Sequence, residues 1–250
     1  MKRIILTGIL VLTAGVAGLL AQAPAPKPKS NGERKAIVAI QTAVQSGDTD
    51  AVIKASEYLL TNYADTDYKE YALTMEAKAY QTKGDNDNAQ VFADRVLQVN
   101  PKAYLMQLLI ADAITPTIKE FDLNYKDEIA KTTKLYNDAI ENAKVAPKPN
   151  AQVSDADWEN QKKFAVAQAY NGLGMVASID KKPGDAVKYF QLAVDNDPDQ
   201  DAYATRLASA LLNAGKKTEA IAICDKLLAK PDLHPRIKSV VTSIRNAASH

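Results

Sequence analysis

A single cysteine, Cys224, stands in a chain of 250 residues, so no internal disulfide can form. Its place in the apolar stripe AIAICDKLL predicts a small buried side chain rather than a nucleophile. Only two histidines are present, His234 and His250, both near the C-terminus and neither spaced with cysteine or another histidine as a metal site requires. No run alternates apolar and polar residues as a half-buried strand does, which argues against a sheet. A surplus of either charge is missing too: 31 basic residues oppose 30 acidic ones, and without a basic patch there is no footprint for nucleic acid or an anionic membrane surface. No acid-base or nucleophile constellation is visible. No enzymatic activity, catalytic residue, metal or cofactor is therefore expected.

What is present is helical and periodic. Ala, Leu, Lys, Gln and Glu fill segments with helical apolar spacing. A small residue, then Ala twelve positions on, then Pro twelve after that, recurs along the chain: Ala77, Ala89 and Pro101, and again Gly174, Ala186 and Pro198. A third copy, Ala208 and Ala220, ends with Pro231 one place early. The spacing suits a helical hairpin whose helices cross where both carry small side chains, so Ala77 is expected to face Ala89, Gly174 to face Ala186, and Ala208 to face Ala220. Gly84 with Asp85, Asn86 and Asp87 supplies a helix stop and a new start, and Pro101 and Pro198 forbid continuation past each pair.

This pattern, with a period of about 34 residues, resembles the tetratricopeptide repeat (TPR). The match is strong over 70–103 and 167–201, where Leu173-Gly174 is typical of a first helix, and good from about Asp201. SGDTDAVIKASEYLL reads as a degenerate first repeat, and Tyr104 to Val145 as a further helical pair with an abnormally long turn. The resemblance implies an all-α, right-handed α-solenoid of about five helix-turn-helix pairs plus a C-terminal capping helix, and a protein or peptide partner bound on the concave surface. First helices line that surface in the family, which points to Tyr71, Thr74, Lys78 and Gln81 in one repeat, Asn171, Met175 and Ser178 in another, and Thr205 and Ser209 in the last. Family members that grip a C-terminal carboxylate place Lys where Thr74, Asn171 and Thr205 fall here, and Lys78 and Arg206 do not restore that clamp. A mixed polar groove suits an extended peptide or a folded partner edge instead.

The organisation expected along the chain is a leader over 1–23, a Pro-rich tether over 24–32, N-terminal repeats over 33–145 with an insertion near 115–127, a Pro-rich linker over 146–154, and C-terminal repeats with the capping helix over 155–250. The leader has a basic start at Lys2 and Arg3, an apolar run from Ile4 to Leu20 and an Ala21-Gln22-Ala23 end, which reads as an export signal and implies a periplasmic or exported protein. Pro24 would follow that cleavage point and disfavours it, so the alternatives are cleavage after Ala17 or Gly18, or retention as an inner-membrane anchor. The tether should be extended and mobile. Ser154 is an expected N-cap, with Asp155 and Asp157 in the first turn.

Several features resemble sites without their context. Gly172, Gly174 and Ala177 fit G-x-G-x-x-A but lie inside a helix with no preceding strand to form a phosphate cradle. Asp195, Asp197, Asp199 and Asp201 resemble a calcium loop, yet Gln200 and Arg206 stand where its Gly and Glu belong, so a solvated turn is the better account. Trp158, the only tryptophan, is either packed against the preceding helix or an exposed anchor.

Overall fold

The structure, a computed structural model, describes residues 26–149 and 152–250. The leader expected over 1–23 lies outside the described residues. Eleven helices and no strand occur among the described residues. In order they are α1 (Asn31–Ser46), α2 (Thr49–Asn62), α3 (Lys69–Lys83), α4 (Asn86–Val99), α5 (Tyr104–Ile114), α6 (Tyr125–Val145), α7 (Asp155–Ile179), α8 (Pro183–Asn196), α9 (Asp201–Asn213), α10 (Lys217–Leu228) and α11 (Pro235–Ser249). These are five consecutive pairs followed by one helix that packs on α9 and α10.

Local chemistry sets the boundaries. Gly84 takes a left-handed φ of 76° and sends its N–H back to Tyr80 and Gln81, closing α3 in a conformation that costs glycine nothing. Asp85 then caps α4 by accepting from the Asn88 N–H at 3.1 Å. Gly47 and Asp48 repeat the arrangement between α1 and α2. Ser154 accepts from the Asp157 N–H at 3.1 Å, the cap expected for α7. The turn from α7 to α8 differs: Lys181, not a glycine, takes the positive φ of 55°, and Pro183 opens α8.

The chain divides into two compact units. Unit 1 comprises residues up to Ile110 together with Val145–Glu159. Its core joins Ile37, Ile40 and Val44 of α1 to Val52 and Leu59 of α2 and to Tyr71, Ala72, Met75 and Ala79 of α3. The tether, expected to be mobile, is held over its described part: Tyr68 Oη donates to the Pro26 carbonyl, Lys29 reaches the Asp65 carbonyl, and Ser30 caps α1. Glu33, buried, accepts from Thr66 Oγ1 at 2.6 Å. Pro-rich composition alone does not reveal such anchoring, because the partners lie over 30 residues away in the α2–α3 connection.

Unit 2 comprises Ala111–Lys144 and Asn160–His250. One core cluster joins Ala177 of α7 to Ala186 and Phe190 of α8, Leu207 and Leu211 of α9, and Ala220 of α10. A second joins Ala208, Cys224, Leu227, Leu233, Val241 and Ile244. The small residues of the repeat pattern are all buried, and Gly174 also seats an aromatic ring: a Cβ there would stand 2.6 Å from the Phe190 ring, which shares a core cluster with the buried Ala186. Gly172 has the same role toward another helix, since a Cβ there would overlap the Tyr136 ring. The G-x-G pair is thus two seats for aromatic rings on one helix.

Gly172→Ala and Gly174→Leu should each destabilise unit 2 by about 1 to 3 kcal/mol, because buried rings cannot give way without disturbing their own contacts. Lys188→Leu on exposed α8 surface should stay within about 0.5 kcal/mol. Urea denaturation followed by circular dichroism measures the three, and equal midpoints would mean that the rings do not rest on these glycines.

Candidate binding surface

The first helices of the repeats carry the residues expected to meet a partner, and the two units treat them differently. In unit 1, Tyr71 and Thr74 are 3% and 1% exposed, so they are core residues here and not members of an accessible row. The helical period correctly put them on one face of α3, but every residue from Tyr71 to Ala77 is buried, so α3 has no solvent face along that stretch. Lys78 is half-buried and burial pushes its ammonium pKa down. Gln81 is exposed.

In unit 2 the row is accessible and tied together. Asn171 Oδ1 accepts from Arg206 Nη1 at 2.9 Å, joining α7 to α9, and Asn171 Nδ2 lies 3.8 Å from Met175 Sδ one turn on. Ser178, exposed, donates to the Gly174 carbonyl at 2.8 Å. Thr205 donates to the Asp201 carbonyl at 2.7 Å, and Ser209 is half-buried one turn further along α9. Asn171, Met175 and Ser178 share a face of α7 by their spacing of four and three.

One member of this surface escaped the sequence reading. Asp112 of α5 accepts from Tyr136 Oη at 2.7 Å and from Gln168 Nε2 at 2.5 Å. Thr115 Oγ1 meets the same tyrosine hydroxyl at 3.0 Å and donates to the Ala111 carbonyl at 2.7 Å. Burial pushes the Asp112 carboxyl up, while the bonds from Tyr136 and Gln168 and the charge of Arg206 pull it down. Burial, then the Asp112 charge, pushes the Tyr136 hydroxyl up. Gln168 precedes Asn171 by three positions, so Asp112, Gln168, Asn171 and Arg206 form a polar strip across α5, α7 and α9. An aspartate in LMQLLIADAI, an otherwise nearly apolar helix, was the available signal.

The connection from α5 to α6 is a second accessible feature of unit 2. After a short 3-10 turn over Thr115–Thr117 it buries Ile118 and then exposes Phe121 at 92% and Leu123 at 108%. Tyr125 Oη bonds the Ile179 carbonyl at 3.1 Å and Glu120 pairs with Lys181 at 2.5 Å, fixing both flanks of the exposed pair. Trp158 is half-buried in unit 1, its indole N–H donating to the Ala146 carbonyl at 3.1 Å.

Four of the titratable residues weighed from the sequence have structural places. Cys224 is buried, which pushes its thiol up, and His234 caps α11 through Nδ1. Asp201 is taken by Lys230 at 2.5 Å and Asp195 accepts from Gln191 at 2.8 Å. Among the described residues no group of three or more His, Cys, Asp or Glu could hold a metal ion.

If Tyr136 and Asp112 act as one unit, Tyr136→Phe and Asp112→Asn should each cost about 1 to 2 kcal/mol, and the double variant clearly less than their sum. A double-mutant cycle in urea measures this, and a coupling under about 0.5 kcal/mol would separate the two residues energetically.

Two stretches match the tetratricopeptide repeat, residues 71–103 and residues 179–244. No curated protein matches by sequence. Among solved structures the chain is similar to TTC0263, a thermophilic TPR protein in Thermus thermophilus, at 16% identity and a TM-score of 0.53, over 85% of this chain and 98% of that one. It is similar to the MamA protein at 17% identity and a TM-score of 0.58, over 78% and 90% of the two chains. MamA 41-end from Desulfovibrio magneticus RS-1 follows the same course at 13% identity and a TM-score of 0.57, over 86% and 97%. At these identities the likeness is one of fold. With its repeat matches, its helical pairs and that fold, the chain is a tetratricopeptide repeat protein.

Proposed function

We propose that this protein is a non-enzymatic scaffold of the bacterial cell envelope that holds a protein or peptide partner along the first-helix surface of unit 2. The observation that carries this reading is the strip formed by Asp112, Gln168, Asn171 and Arg206, whose donors and acceptors are fixed by one another before any partner arrives. A preformed row of mixed polar groups meets an extended backbone or a strand edge without the ordering cost of mobile side chains. Repeat scaffolds work by such extended surfaces rather than by chemistry at one point. Phe121 and Leu123, exposed in the α5–α6 connection of the same unit, add apolar surface for a partner to cover. The envelope location rests on the basic start, apolar run and Ala21-Gln22-Ala23 end of the leader. No helix among the described residues is long and apolar enough to cross a membrane, so attachment to the inner membrane would run through the leader.

Photo-crosslinking in cells tests the surface. A benzoylphenylalanine at Ser178 or Phe121 should capture partner protein, whereas the same probe at Lys188 or Gln191, exposed on α8, should not. Adducts from α8 alone would move binding to the opposite side of the repeats. Phe121→Ser with Leu123→Ser should reduce capture at Ser178 by about tenfold, the loss of that apolar surface, with the helical signal unchanged.

Intact mass of the protein from the envelope fraction tests the leader. Loss of the first 17 to 23 residues is the expected result. A mass that retains Met1 to Leu20, with the protein in the membrane pellet, would make it a tethered subunit of an envelope assembly.

A further inference from the structure

Glu76 stands immediately before Ala77, in the place that Leu173 and Leu207 occupy before Gly174 and Ala208. Those leucines are 2% and 1% exposed, and Glu76, at 0%, is buried as fully as they are. Both of its carboxylate oxygens lack a hydrogen-bond partner. An ionised carboxylate in that setting loses its hydration and receives nothing in return, whereas the neutral acid is tolerated. A repeat that puts an acid at a leucine position breaks the local rule of its own fold, and such breaks mark functional or strained sites.

The surroundings reinforce the point. α3 packs against α1, α2 and α4. The charges that act on Glu76 are Glu57 from α2, a like charge, and Arg95 from α4, an opposite one, with Tyr80 nearby on α3 itself. Arg95 lies 4.9 Å from the centre of the Phe92 ring and makes no bond to Glu76. Burial first, then Glu57, raises the carboxyl from 4.5 to about 7, against a smaller pull from Arg95.

We propose that Glu76 is a proton-operated latch in unit 1: as the neutral acid it lets α3 pack as a core helix, and its ionisation loosens α3 from α2 and α4. The step is a simple loss of a proton to solvent, after which the carboxylate must regain water or turn to Arg95, and either requires it to leave the unpartnered position it holds. The sign follows from linkage. A group whose pKa is higher folded than unfolded contributes stability that is fully present below the unfolded value and is lost as pH rises through the folded one. Unit 1 should therefore be tightest below pH 4.5, loosen as pH rises to about 7, and change little from this cause beyond that.

Hydrogen exchange read by mass spectrometry on the full chain tests the proposal, with rates corrected for the intrinsic pH dependence of amide exchange. Protection in α3 and α4 should fall by up to about tenfold per pH unit between pH 5 and 7, while α9 and α10 serve as the internal reference and should hold steady. Glu76→Gln should abolish the fall, and Glu76→Leu, which restores the residue of the other repeats, should abolish it and raise protection at pH 8. Carbon NMR of the glutamate carboxyls in the wild-type protein gives a reading that needs no variant to fold: one carboxyl should titrate near neutrality. Flat protection in α3 and α4, an equal fall in α9 and α10, an unchanged fall in both variants, or all carboxyls titrating in the ordinary range would each overturn the latch.

Discussion

Two helices can lie together only as closely as the atoms between them allow, and unit 2 is organised around the places where one helix has no side chain at all. At Gly172 the Tyr136 ring rests on the backbone of α7, and at Gly174 the Phe190 ring does the same from α8. The first of these contacts reaches further than packing. Because the Tyr136 ring is seated on α7, its hydroxyl stands where Asp112 and Thr115 can both reach it. Asp112, so held, fixes the Gln168 amide. A missing methyl group on α7 therefore helps set the order of a polar surface that also includes residues of α5.

The repeat skeleton was legible in the sequence because its rules are local. The glycine stop at Gly84, the caps at Asp85 and Ser154 and the prolines after α4 and α8 all act within a few residues of themselves. That the Phe190 ring meets Gly174 was not legible, since a small residue announces a close approach without saying what approaches. The same limit hid the anchoring of Pro26 and Lys29, whose partners are in the α2–α3 connection. Within the candidate surface, the α7 residues Asn171, Met175 and Ser178 followed from helical spacing, but Tyr71 and Thr74 did not behave alike because α3 is covered on all sides over that stretch. Asp112 was visible only as an isolated acid in an apolar helix, and its bonds to α6 and α7 come from tertiary structure.

The first helices α3 and α7 are thus used in opposite ways. α3 is a core helix with an uncompensated acid inside it, whereas α7 and α9 keep a polar face whose groups are mutually satisfied. A buried polar group without a partner makes its surroundings sensitive to solution conditions, and one with partners makes them insensitive. The proposed pH response and the proposed partner surface therefore fall in different parts of the chain, in helices with the same repeat position.

The bonds at the start of the described chain have a mechanical meaning. Tension applied at Pro26 would not fall on α1 alone, because Tyr68 holds the Pro26 carbonyl and Lys29 grips the Asp65 carbonyl and pairs with Asp65 and Asp67. Load entering there is handed to the α2–α3 connection and shared by three elements at once. A pull along the chain would then meet these contacts together rather than one after another.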